Sequence, residues 1–355
     1  MTPRTDYTMG CRPRLVAASL GLLAALTLAG CQKDQPSAGG GLAPKLGQRL
    51  ARARRDAFWH PRRLAAQLAL GQAAYEAGMH NDAYAAYREA VTIEPGSYDA
   101  CLGMALVNAG LHDPSEALDW AKRADGVRPG RPEVLQLQGR MLLLSGRFDD
   151  AAATLRRALA ARPDSAASWL SLSSVYAVQG RYGEAISAAR QAVKLRPADA
   201  VTHMALAMHL QRAGQLRDAE GEYRTVLRTD PANAGAMTAL AQVLLDQKRN
   251  LPEALQWAIK ASDTATERAP ATVIAAWIMH LRGDTRRAAG ELLKLVNADP
   301  HNPEAWSKLA LMLRALGEPD KAARAEQQAR AYLRSASPLR AYVDRQDGGP
   351  EPAHE

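Results

Sequence analysis

Aromatic residues are scarce in this chain: they make up 5% of its 355 residues, and two of them are phenylalanine. Runs in which β-branched or aromatic residues alternate with polar ones are hard to find, and strands depend on such runs. Sandwiches and barrels are therefore excluded, and an all-helical protein is expected. Cysteine is scarce as well, with Cys11, Cys31 and Cys101 the full set, too few for a disulfide framework. Also missing are G-x-S-x-G, H-E-x-x-H, C-x-x-C and a phosphate-binding lysine loop. The eight histidines are scattered, and His203 and His209 do not share a helix face well enough to hold a metal. No catalytic residue, metal ligand or cofactor is expected. Cys101 reads as a small buried hydrophobe, because no hydrolase motif surrounds it.

What is present is a folded composition, 47% hydrophobic and 23% charged, on a chain long enough to bury a large core. The N-terminus stands apart. Arg4, Arg12 and Arg14 precede an apolar run from Leu15 to Gly30, which is too short for a permanent transmembrane helix and fits a secretion signal. The run ends Leu28-Ala29-Gly30-Cys31, which resembles the lipobox of bacterial lipoproteins. The resemblance implies cleavage after residue 30 and a lipid on Cys31. Because Gln32 and not aspartate follows, it also implies the periplasmic face of the outer membrane, provided the organism has two membranes. Residues 31–44 then read as a flexible Gly/Ser/Pro linker.

Prolines set the frame of the remainder. Pro95, Pro129, Pro163, Pro197 and Pro231 are each 34 residues apart, and Pro300 follows after two periods plus one residue. A constant period of this length marks a repeat architecture. Counted from Leu64, the repeats are 64–97, 98–131, 132–165, 166–199, 200–233, 234–268, 269–302 and 303–336. Each holds two apolar-periodic segments around a turn. Position 20 is alanine in all eight: Ala83, Ala117, Ala151, Ala185, Ala219, Ala254, Ala288 and Ala322, with the sixth copy displaced by one. Alanine forgoes burial that leucine would supply, at about 25 cal/mol per Å² of apolar area, so another helix is expected to come very close there. Glycine recurs at position 15, in Gly78, Gly146, Gly180, Gly214, Gly283 and Gly317, as a positive φ after the first helix requires. Repeats two and six lack it, and local irregularity is expected at those turns. Ser97, Ser165, Asp199, Asn233 and Asn302 are predicted N-caps.

Trp169 and Trp306 at position 4, Leu70, Leu172, Leu206, Leu240 and Leu309 at position 7, Gly71 and Gly139 at position 8, Tyr176 at position 11 and Ala90, Ala124, Ala158, Ala192, Ala261 and Ala329 at position 27 complete a pattern that resembles the tetratricopeptide repeat (TPR). The resemblance implies an all-α, right-handed superhelical solenoid of about eight helix-turn-helix repeats over 64–336, with the first helix of each repeat (helix A) lining a concave groove through positions 2, 5, 9 and 12. Mapped onto this chain, those positions suggest an apolar strip of Leu170, Met204, Met208, Leu245 and Trp277, flanked by Arg140, Arg212 and Arg314, for an amphipathic helix or extended peptide. No copy has the lysine at 5 and asparagine at 9 of the members that clamp a terminal carboxylate.

Residues 45–63 read as a basic amphipathic cap with Phe58 and Trp59 on an apolar patch, and 337–355 as an extension ending in a disordered tail. Net charge is +8, and without residues 1–30 the chain keeps 42 basic and 36 acidic residues. Much of the excess lies in the cap, where Arg49, Arg52, Arg54, Arg55, Arg62 and Arg63 form a candidate membrane-surface patch beside the lipid. Nucleic acid is not expected as a partner of an exported chain. The expected function is a non-enzymatic, membrane-anchored scaffold of the bacterial cell envelope that binds envelope assembly components, as in pilus, secretion or exopolysaccharide export machines. The alternatives are a structural, self-associating lipoprotein and a regulatory arm of a cell-wall or glycan-synthesising complex. The oligomeric state is left open. A radioactive fatty acid is expected to label the wild type and not Cys31→Ser; equal labelling of both would remove the anchor.

Overall fold

A computed structural model describes residues 44–335, which contain helices and no strand. The signal, Cys31 and the C-terminal tail lie outside the described residues. A first helix, α1 (Pro44–Trp59), precedes sixteen more, of which fourteen pair as hairpins within a unit. They are α2 (Leu64–Glu76) with α3 (His80–Ile93), α4 (Tyr98–Gly110) with α5 (Pro114–Val127), α6 (Pro132–Leu144) with α7 (Phe148–Ala161), and α8 (Ala166–Val178) with α9 (Tyr182–Leu195). There follow α10 (Ala200–Arg212), α11 (Leu216–Thr229), α12 (Ala234–Asp246) with α13 (Leu251–Ser262), α14 (Arg268–Leu281) with α15 (Thr285–Ala298), and α16 (Pro303–Ala315) with α17 (Pro319–Ser335). Two compact units divide the chain, one ending at Gln215 and the other beginning at Leu216. Within each unit every helix packs on its neighbour in sequence, and successive A helices also touch, which is the packing of a helical solenoid.

The alanines explain that packing. All eight at position 20 are fully buried, as are Ala90, Ala124, Ala158, Ala192 and Ala261 at position 27. A fully buried side chain this small leaves little room between a helix and its neighbours, so the area forgone by alanine returns as close packing. The same exchange operates between positions 8 and 24. A Cβ on Gly139 would lie 2.5 Å from Leu155 Cγ, and Tyr87 fills the space left by Gly71 and by Gly103 of the following repeat.

Helix ends follow local chemistry. Ser97, Ser165, Asp199, Asn233 and Asn302 each accept a backbone N–H of the first turn, as their residue types predicted, and Asp113 does the same. The six turn glycines all have positive φ. The two turns without glycine keep the same backbone path: Asp113 N–H donates to the Asn108 carbonyl and Arg249 N–H to that of Leu244, matching Met79 to Ala74 in the first repeat. The irregularity lies in the residues that adopt the left-handed conformation, His112 at φ 62° and Lys248 at φ 53°, which costs a residue with a Cβ about 1–2 kcal/mol. Asn250, also left-handed at φ 47°, lies in the turn before α13, where the one extra residue of the sixth repeat is absorbed.

Position 4 has a function that its residue types conceal. Trp169 and Trp306 donate their indole N–H to the carbonyls of Pro163 and Pro300, at 2.9 and 2.8 Å. Gln67 donates its amide to the Pro61 carbonyl, and His203 Nε2 lies 2.9 Å from that of Pro197. Cys101, buried and unpaired with any other cysteine, places Sγ 3.9 Å from the Pro95 carbonyl. Five different side chains thus tie the start of helix A to the loop six residues before it.

One buried polar pair interrupts the apolar interior of the first unit. His209 Nε2 lies 3.2 Å from Ser173 Oγ, whose hydroxyl donates to the Leu170 carbonyl at 2.8 Å. The serine oxygen can then only accept, so the imidazole carries its proton on Nε2, and buried Nδ1 has no hydrogen-bond partner among the described residues. Burial first, and the Arg212 charge second, push the His209 pKa down to about 4.

Ala185→Leu is expected to overpack its contact and lower stability by about 1–3 kcal/mol in a denaturant titration; no loss would refute the close approach. His209 is neutral in the folded chain, whereas the unfolded chain takes up its proton near pH 6.5. Its contribution to stability is therefore complete above about pH 6.5 and is lost as pH falls toward 4, a span of order 3 kcal/mol. Unfolding free energies measured across that window should fall more steeply for the wild type than for His209→Gln.

Candidate functional site

The A helices carry the face on which a partner was expected, and the structure sorts its residues by exposure. In the first unit Leu170 on α8 and Met204 and Met208 on α10 are 7–8% exposed. Arg140 on α6 is buried among its neighbours and engaged with them, and Arg212 at the end of α10 is half-buried. Side chains so covered by their own chain have little surface to offer, and lysine at Met208 would place a charge in a nearly closed space.

The helix-A face is more open at Leu102 and Leu106 of the second repeat, which are half-buried, and in the second unit. Leu245 on α12 is as covered as the methionines, but Trp277 on α14 is half-buried and Leu311 on α16 is 49% exposed. Both occupy position 9 of successive repeats, so the repeat register places them on the same helix-A face. Lys308 lies with its ammonium 4.6 Å from the centre of the Trp277 ring, a cation–π contact, and His280 stands 5.3 Å from the same ring. His280 is in turn tied to Thr285 Oγ1 at 3.0 Å. Arg314, proposed from sequence as a flanking cation, instead pairs with Glu326 on α17 at 2.6 Å. Lys308 was not foreseen: position 6 is not among the groove positions of the repeat, and only the packing of α16 on α14 brings it over the tryptophan.

The six arginines of the cap also divide. Arg49 and Arg54 form ion pairs at 2.7 Å with Glu76 on α2 and Asp82 on α3. Arg52, Arg55 and Arg63, with Trp59 and His60, line an open hollow of about 900 Å³ between α1 and α2, into which Arg49 and Asp56 also reach. Leu50, Ala53 and Ala57 are the buried face of α1. Phe58 and Trp59 are not part of that face.

No group of three or more His, Cys, Asp or Glu suited to a metal occurs among the described residues, and no described helix is long and apolar enough to cross a membrane. A family model described as tetratricopeptide repeat matches residues 137–200, 204–277 and 282–338, and a second model of the same description matches 74–141. No curated protein matches the chain. Among solved structures, the Cut9-Hcn1 hetero-tetramer of the APC/C is similar at 13% identity, over 85% of this chain and 59% of that one, with a TM-score of 0.55. Human IFIT1, solved as a dimer with PPP-AAAA, is similar at 17% identity over 84% and 70%, with a TM-score of 0.52. Pseudomonas aeruginosa pilF is similar at 17% identity over 72% and 96%, with a TM-score of 0.46. Identities this low speak to the fold alone. The period of 34, the paired helices with alanine at every close approach and the family match over more than half of the residues make this chain a member of the tetratricopeptide repeat family.

Proposed function

We propose that the chain is a non-enzymatic scaffold of the bacterial cell envelope, held by a lipid on Cys31 at the periplasmic face of the outer membrane, that seats part of a partner protein on its helix-A faces. Tetratricopeptide arrays generally bind other proteins, and the family membership supports that part of the reading. The partner is a component of an assembly or export machine such as those for pili, secretion or exopolysaccharide.

The observation that carries the reading is the open seat of the second unit. Trp277 and Leu311 leave apolar surface uncovered on one face, and Lys308 adds a positive charge at its edge. A partly covered tryptophan, with an exposed leucine at the same position of the next repeat, is the kind of anchor that dominates binding energy at interfaces. A segment with one large apolar side chain for the tryptophan and a carboxylate for Lys308 would suit it. Leu170, Met204 and Met208, in the first unit, are packed framework of that unit, because their exposed area is small.

Wild type, Trp277→Ala and Leu311→Ser are to be used as baits on detergent-solubilised envelopes, with folding checked by circular dichroism. A partner recovered by the wild type is expected to bind Trp277→Ala about thirtyfold more weakly, the equivalent of about 2 kcal/mol. Equal recovery by all three baits would move the site away from the second unit's helix-A face.

A further inference from the structure

Helix α1 turns its largest apolar side chains outward. It packs on α2 through Leu50, Ala53 and Ala57, while Phe58 and Trp59 stand 76% and 70% exposed, their rings in edge contact at 5.4 Å. At 100° per residue, Arg52, Arg55 and Trp59 fall within about 60° of one another, and they border the open hollow beside α2, with Phe58 at the margin of that arc. A contiguous exposed aromatic surface of this kind marks a contact with something other than water.

The arginines around it are free for a second role. Arg49 and Arg54 are spent on Glu76 and Asp82 and hold α1 to the hairpin beneath it. Arg52, Arg55, Arg62 and Arg63 have no acidic partner among the described residues, and Asp56, the one acid of residues 44–63, stands 3.9 Å from His60. Guanidinium groups beside an aromatic pair match the boundary of an anionic bilayer, where indole rings settle at headgroup level and basic residues meet phosphate. A second copy of the chain would bring one arginine edge against another and repel itself.

We propose that this edge, formed by Phe58, Trp59, Arg52 and Arg55 of α1 with Arg62 and Arg63 of the turn that follows it, docks on an anionic phospholipid surface and orients the first unit on it. The inference rests on the reading that Cys31 is lipidated, which puts the chain at a membrane. Twelve residues lie between Cys31 and Pro44, and the thirteen steps reach about 45 Å when extended, so an anchored chain keeps α1 within touch of the surface.

The test uses the unlipidated chain from Gln32 onward, which keeps every described helix and lacks the apolar N-terminal run. It is sedimented with vesicles of phosphatidylglycerol and phosphatidylethanolamine, and with vesicles of phosphatidylcholine alone. The wild type is expected to bind the anionic vesicles, less so as salt rises. Phe58→Ser/Trp59→Ser should lower the partition at least tenfold, and Arg52→Gln/Arg55→Gln should remove the preference for anionic lipid, both with an unchanged circular dichroism spectrum. Equal partition of wild type and the aromatic variant, or no binding to either vesicle, would overturn the proposal. So would a dimer seen by light scattering that the aromatic substitutions dissolve, since the face would then belong to a second copy. Fatty-acid labelling of Cys31 reports the anchor separately, so failure of the anchor and failure of the docking edge are distinguishable.

Discussion

Close approach between helices is the constraint on which this structure depends. Eight alanines at one repeat position are fully covered. A larger residue at any of them would push two helices apart, and the displacement would pass along the stack because each hairpin rests on its neighbours. Glycine serves the same end at position 8, where Gly71 and Gly139 yield space to Tyr87 and Leu155. The exchange is local in each repeat, which is why one short pattern, written eight times, suffices for the chain.

In five of the eight repeats, the proline loop before helix A is tied down by the donor that position 4 supplies. Indole, amide and imidazole all reach a carbonyl six residues back, and a thiol takes the same place more loosely. These groups differ in size, charge and hydropathy and share only a hydrogen that can be donated from the right distance. The turn inside each hairpin shows the same tolerance. His112 and Lys248 accept an unfavourable φ because the hydrogen bond that closes the turn and the packing of both helices hold them there.

A stack of this kind leaves function to the surfaces it does not consume. In the first unit the A helices of the fourth and fifth repeats are buried along almost their whole length, so their apolar residues stabilise the array. Trp277 and Leu311 in the second unit, and Phe58 and Trp59 on the first helix, are among the places where large apolar side chains meet solvent beside positive charge.

Much of this was legible in the chain itself. The 34-residue spacing of the prolines, the alanines at positions 20 and 27, the turn glycines and the five capping residues each reflect local chemistry or one repeated contact, and the helices fall where they place them. Exposure was not legible, because it depends on what lies across the gap: Met204 and Met208 have the residue type and repeat position of a binding strip, yet adjacent helices cover them. Charge pairing was hidden for the same reason. Arg49 and Arg54 look like Arg52 and Arg55 along the sequence, and Glu76 and Asp82, more than twenty residues away, single them out only once α1 lies on the first hairpin. Period and local propensity determined the elements, and the contacts between distant residues decided which side chains are left to act.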